Sequence, residues 1–108
     1  MITIEKKIKD IYFNQIVKGE KKLEYRLADF GLGTDYKFVI INEEKPDLKI
    51  AFYIKDFKYI TGEELEKGVY HYSGYDNLIN ILNQFHDKVL IYKYGAYIIE
   101  IPEKDKHL

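Results

Sequence analysis

The chain has 108 residues, 46% of them hydrophobic, which is enough for one domain with a single modest core and too short for two. A formal net charge of −1 excludes a molecule that binds nucleic acid through overall basicity, although residues 1–26 carry seven Lys or Arg against four Asp or Glu, so an anionic partner belongs on that side. Cysteine is absent, which removes disulfides, thiolate metal sites and cysteine nucleophiles together.

No apolar run approaches the ~20 residues that cross a bilayer, and the N-terminus lacks a basic stretch followed by an apolar one, so the expectation is a soluble, cytoplasmic protein. Ile2 and Ile4 alternate with Thr3 and Glu5, predicting a short strand over residues 2–7. Asp10 is then placed to cap a helix that runs to Lys18 and carries Ile8, Ile11, Tyr12 and Ile16 on one face. Gly19 follows, where a helix end wants a left-handed residue. Beyond it Leu23, Tyr25 and Leu27 alternate with Lys22, Glu24 and Arg26, a strand pattern that puts Glu24 and Arg26 on one face.

Residues 28–35, with Gly31 and Gly33, read as a loop, residues 36–42 as a strand rich in Phe, Val and Ile, and residues 43–47, with Pro46, as a turn. From residue 48 to 60 the alternation slips in phase at Lys55 and Asp56, which predicts one long strand with a bulge. Thr61-Gly62-Glu63-Glu64 has the form of a capping box, predicting a short helix over residues 62–67. After an irregular aromatic stretch at 69–75, Asp76 can cap a second main helix whose Leu78, Ile81, Leu82 and Phe85 recur at i, i+3, i+4 and i+7. Residues 88–93 and 96–101 are expected to be strands joined by a hairpin at Tyr94-Gly95, with Pro102 ending the ordered chain and residues 103–108 fraying. The sum is an α+β domain over residues 1–102, with five or six strands, two main helices and no regular β-α-β alternation, folded as a curled sheet or small barrel.

The functional signal is the run Gly19-Glu20-Lys21-Lys22-Leu23-Glu24-Tyr25-Arg26. On a strand face Glu24 can fix Arg26 or a nearby lysine by a charge-assisted hydrogen bond, and a fixed guanidinium recognises a phosphate or a planar carbonyl edge. Lys21, just past the helix end, adds a point charge that becomes a general base or nucleophile if desolvated. The ordinary alternative is a solvated strand face with interspersed charges.

The spacing Gly-x-Lys-x-x-Glu-x-Arg, placed directly after a helix with Tyr12-Phe13 and Ile16, resembles the signature of the ASCH (activating signal cointegrator homology) family. The resemblance covers the N-terminal strand, the helix, the four signature positions and the following loop and strand; beyond residue 42 only the order of elements fits. It implies a PUA-like barrel, a cleft lined by Lys21, Glu24 and Arg26 with Gly19 as its hinge, and a partner that is RNA, a modified nucleoside or a nucleotide. One enzymatic branch of ASCH-like proteins hydrolyses N4-acetylcytidine with a lysine, a threonine and a glutamate. Lys21 matches that lysine, but Glu24 stands at the threonine position and is not the same nucleophile, while Glu66 and Asp76 are the candidates for the distal carboxylate. Catalytic roles for Lys21 and Glu24 therefore define the alternative reading, a small hydrolase of a nucleoside amide or of RNA. A further alternative is a phage-type protein that blocks a host protein.

Eleven tyrosines invite a base-stacking reading, and His71 and Tyr72, in the aromatic stretch after Gly68, are further candidate ligand contacts, with loop packing as the ordinary alternative. His71, His86 and His107 lack metal-ligand spacing, Ser73 lacks a triad, and no phosphate-binding glycine signature is present, so neither a metal nor a cofactor is expected. Lys6, Lys7, Lys9, Lys18, Lys21 and Lys22 could form a positive strip, which ordinary solvation also explains.

Overall fold

The computed structural model describes residues 2–33, 35–67 and 78–103. In chain order they form β1 (Ile2–Ile8), α1 (Asp10–Val17), β2 (Leu23–Leu27), β3 (Tyr36–Asn42), β4 (Lys49–Tyr53), β5 (Phe57–Ile60), α2 (Gly62–Lys67), α3 (Leu78–Asn83), α4 (Lys88–Tyr94) and β6 (Ala96–Glu100). The α+β class stands, with four described helices where two main ones and a short one over residues 62–67 were expected. The described strands lie in two three-stranded sheets, ordered β1-β3-β4 and β2-β6-β5. No described helix is long and apolar enough to cross a membrane. By contact density the chain divides into two units, one made of the described residues of Met1–Glu24, Leu32–Asp56 and Glu100–Leu108, the other of those of Tyr25–Gly31 and Phe57–Ile99.

In the first unit β1 runs parallel to β3, from Ile2 opposite Tyr36 to Ile8 opposite Asn42, and β3 is antiparallel to β4. A parallel pair needs a long crossover, which begins here with α1 and the charged run behind it. The central position of β3 explains its composition: Phe38, Val39 and Ile40 are buried in succession, as a strand covered on both faces requires. From α1 the core takes Phe13 and Ile16, one helical turn apart. Ile11, expected on that face, is 62% exposed, because the stripe is set by Phe13 and Ile16 while Ile8 belongs to β1.

Asp10 does not cap α1 with its side chain. It is the first helical residue, the cap position is Lys9, and no side-chain cap bond forms there. Its carboxylate instead accepts hydrogen bonds from Asn14 Nδ2 (3.2 Å) and Asn42 Nδ2 (2.7 Å). Asn42 is completely buried, and its Oδ1 accepts from the backbone N–H groups of Glu44 (3.0 Å) and Lys45 (3.1 Å). One amide thus shapes the turn after β3 and ties that strand to the start of α1, with donor and acceptor sides both engaged.

In the second unit β5 is antiparallel to β6, from Phe57 opposite Ile99 to Ile60 opposite Ala96, and α2, α3 and α4 bury Leu65, Leu78, Leu82 and Ile91. The expected capping box is present: the Glu64 N–H donates to Thr61 Oγ1 (3.1 Å), and Thr61 Oγ1 donates to Glu64 Oε1 (2.9 Å). Three expectations fail. Residues 48–60 are not one bulged strand, because the phase slip at Lys55 and Asp56 marks the passage from β4 in one sheet to β5 in the other. The expected strand at residues 88–93 is helix α4, whose Val, Ile and Tyr content misleads a period-two reading. Asp87 decides the matter locally, since its side chain accepts the Leu90 N–H at 2.9 Å. Gly95 is then a helix end and not a hairpin turn: it has φ 75°, and its N–H donates to the Ile91 carbonyl at 2.9 Å. A Cβ there would also collide with the Ile60 carbonyl of β5. The proposed Asp76 cap and residues 104–108 of the expected tail lie outside the described residues; Glu103 is described and pairs with Lys22 at 3.7 Å.

Candidate functional site

How α1 ends fixes where the charged run begins. Gly19 has φ 77°, and open space surrounds the position a Cβ would take, so the glycine answers a backbone need and not a crowded contact. Its N–H donates to the Ile16 carbonyl (3.1 Å), the Glu20 N–H donates to the Gln15 carbonyl (2.9 Å), and the Lys21 N–H reaches the same carbonyl (3.1 Å). The first two bonds make a Schellman closure, and the third extends it to Lys21. The backbone of Lys21 is therefore anchored before β2 starts.

That anchoring sets Lys21 against Glu24, with Nζ 4.0 Å from Oε1. Their side chains are 16% and 6% exposed respectively, so this is no solvated pair on an open strand face. Glu24 and Asn42 are the polar or charged residues fully buried among the described residues. The Lys21 ammonium also lies 5.9 Å from the centre of the Tyr12 ring, at the outer limit of a cation–π contact. A half-buried cation, a buried carboxylate and a half-buried aromatic ring thus belong to one small neighbourhood of the first unit. Chemically it offers a hydrogen-bond donor, an acceptor and an apolar face.

Sequence reasoning selected Lys21 and Glu24 and missed Tyr12 as a member of the site. Spacing carries no signal for it, since the helix and its closure, not local sequence, set the ring beside a lysine nine positions on. Arg26 lies in the second unit and is half-buried, with its Nε shielded from solvent. His71, Tyr72 and Asp76 fall outside the described residues. Glu66 sits on α2, more than half exposed and 4.0 Å from Lys88 Nζ, in a surface ion pair. Lys6 and Lys7 are adjacent in β1 and so point to opposite faces, which splits the expected positive strip. Several aromatic residues serve packing: Tyr97 donates its hydroxyl to the Phe30 carbonyl (2.9 Å), and its ring meets those of Phe30 and Phe57 edge-on.

Two solved structures are similar to this chain along nearly all of its length. The crystal structure of hypothetical protein PH0355 shares 26% sequence identity at a TM-score of 0.62, covering 92% of this chain and 96% of its own. The solution NMR structure of protein PF0455 from Pyrococcus furiosus shares 26% identity at a TM-score of 0.51, covering 92% of this chain and 94% of its own. No protein-family model and no curated protein matches the chain. The similarity to PH0355 supports the α+β fold over 92% of the chain, and the site rests on its own geometry.

Proposed function

We propose that the chain is a cytoplasmic ASCH-like module that binds RNA, a modified nucleoside or a nucleotide through the Gly19, Lys21, Glu24 and Arg26 motif. The observation that carries the reading is the burial of Glu24, 4% exposed, beside a Lys21 whose backbone is anchored by the helix closure. A solvated strand face needs neither feature. Removing a carboxylate from water is costly unless its charge and lone pairs are used, so burial concentrates recognition chemistry at this point. Glu24 accepts from the amine or ring N–H edge of a base, Lys21 donates to a carbonyl or phosphate oxygen, and Tyr12 offers a ring on which a base can rest. Arg26 supplies the planar cation suited to phosphate. The same reading assigns the six strands to a PUA-like barrel.

The test is a titration of cytidine, N4-acetylcytidine, their monophosphates and short RNAs into the parent protein and into Arg26→Ala. Binding should weaken at least tenfold in the variant, equivalent to about 1.4 kcal/mol, while its melting temperature moves little. Equal binding by the two proteins would remove Arg26 from the site. A parallel turnover assay with Lys21→Ala separates holding from hydrolysis: product from the parent and none from the variant would move the protein into the hydrolase class.

A further inference from the structure

We propose that the face of β5 and β6 that carries Tyr59 and Tyr97 holds a single strand of nucleic acid, with one base stacked on these rings and a backbone phosphate at Arg26. The phosphate contact rests on the reading of Arg26 given above; the stacking rings lie in the second unit and are separate from Lys21 and Glu24.

Register puts the three side chains in one row. β5 is antiparallel to β6 with Tyr59 opposite Tyr97, and β6 lies between β5 and β2. The Ala28 N–H donates to the Gly95 carbonyl (3.0 Å) and the Ile101 N–H to the Lys22 carbonyl (2.9 Å), so β2 runs antiparallel to β6 with Arg26 opposite Tyr97. Residues directly opposite each other share a face. Arg26, Tyr97 and Tyr59 therefore cross the sheet side by side, and Phe57 stands one pair further along, its ring 5.6 Å from that of Tyr97. The other face holds Ile60, Ala96 and Ile98, all buried, so the sheet turns its back to the core there.

The two tyrosine rings are fixed without being covered. Tyr59 is 51% exposed, yet its hydroxyl donates to the Tyr94 carbonyl at 3.0 Å, and its ring crosses Gly95, where a Cβ would lie 3.1 Å from Cε2 and Oη. Tyr97, half-buried and with its ring 5.7 Å from that of Tyr59, is tied at its own hydroxyl to the Phe30 carbonyl. An exposed tyrosine ordinarily keeps its rotamer freedom and loses it on binding. Two tethered rings have already lost it, so a planar partner stacks at reduced entropic cost. Covering Gly95 accounts for the seat of Tyr59, but not for a second tethered tyrosine and an arginine in the same row.

These groups select the occupant. Aromatic faces accept any base, and a guanidinium accepts phosphate. In Tyr25–Gly31, along β5 and at residues 96–99 of β6 the charged residues are Arg26, Asp29 and Lys58; Asp29 is exposed in the segment after β2, so no carboxylate stands in the row. Small-molecule sites enclose most of their ligand, whereas a ring half open to solvent suits one base of a strand held at several points. A duplex keeps its bases stacked inside and offers such rings nothing.

The experiment titrates hexauridylate, uridine monophosphate and a short RNA duplex into the full chain with isotopically labelled tyrosine rings, followed by NMR. The ring signals of Tyr59 and Tyr97 should shift saturably with hexauridylate, and the monophosphate and the duplex should each bind roughly tenfold more weakly or worse. Tyr59→Leu should weaken hexauridylate binding roughly tenfold, while Tyr59→Phe, which keeps the ring, should stay within about threefold of the parent. Both changes sit on an exposed side chain, and circular dichroism checks that the fold is retained. The proposal is overturned by the absence of ring shifts up to about 1 mM hexauridylate, by equal binding of the monophosphate or the duplex, by parent-like binding in Tyr59→Leu, or by equal losses in the Leu and Phe variants. Lys21→Met in the same titration separates the two sites. Binding lost in Lys21→Met and kept in Tyr59→Leu refutes the stacking row alone; binding lost in Tyr59→Leu and kept in Lys21→Met refutes the motif and leaves the row standing.

Discussion

The sharpest test of the Lys21 and Glu24 pair is a double-mutant cycle that separates stability from binding. At 4.0 Å and an effective dielectric near 20, two opposite charges attract by about 4 kcal/mol before desolvation is counted. Lys21→Met deletes the ammonium and leaves Glu24 buried with its charge less compensated, which should cost about 2 to 3 kcal/mol. Glu24→Leu is milder, about 1 kcal/mol, because the longer lysine can turn its ammonium to water once the carboxylate has gone. With both changes the site becomes apolar and no uncompensated charge remains, so the double variant should be more stable than Lys21→Met alone, with a coupling of about 1 to 2 kcal/mol. For a chain of this size each kcal/mol moves the melting temperature by roughly 4 to 8 °C, readable by circular dichroism or by the fluorescence of its tyrosines. On the proposed reading nucleoside binding should stay lost in the double variant although part of the stability lost in Lys21→Met is recovered. Losses that add to within about 0.5 kcal/mol would refute the energetic pairing of Lys21 with Glu24.

Three further substitutions test helix ends in the two units. Gly19→Ala should cost about 1 kcal/mol, because its Cβ enters open space and the left-handed backbone carries the whole penalty, whereas Gly95→Ala adds a collision with the Ile60 carbonyl and should cost at least 3 kcal/mol; chemical denaturation of both variants ranks them, and equal losses would overturn this distinction. Asp87→Ala should remove about 1 kcal/mol and fray the first turn of α4, seen as movement of the carbon chemical shifts of Lys88, Val89 and Leu90 away from helical values; strand-like shifts at these residues in the parent protein would contradict the helix itself.

Much of the backbone was legible in the sequence where one short-range signal dominates. Gly19 ends α1 because the left-handed position has a strong chemical preference, and the Thr61 to Glu64 spacing announces α2 because the Glu64 N–H donates to Thr61 Oγ1 while the Thr61 N–H donates back to Glu64 Oε1 at 3.4 Å. Legibility failed where local composition and tertiary context disagree. In α4 the β-branched and aromatic residues favour a strand, yet Asp87 at one end and Gly95 at the other frame a helix, a pairing that a reading by alternation overlooks. The break at Lys55 and Asp56 carried a true signal whose meaning lay outside the strand: the Asp56 carbonyl accepts from Glu100 at 3.3 Å, while β4 and β5 go to different sheets. The buried role of Asn42 had no local sign, since an asparagine at a strand end normally reads as the start of an exposed turn.

The same limit applies to the site, and it bears on what the site does. The spacing identified Lys21 and Glu24, but only packing shows that they share a shielded environment. A lysine acts as nucleophile or base in its neutral form. Lys21 Nζ stands 4.0 Å from the buried Glu24 Oε1, so the two side chains present a hydrogen-bond donor and an acceptor together. Glu24 in turn lacks the hydroxyl of a threonine; as a carboxylate it can accept hydrogen bonds or take a proton from water as a general base. On the proposed reading the pair is a complementary donor and acceptor for the polar edge of a base; turnover by the parent and none by Lys21→Ala would assign it to hydrolysis instead.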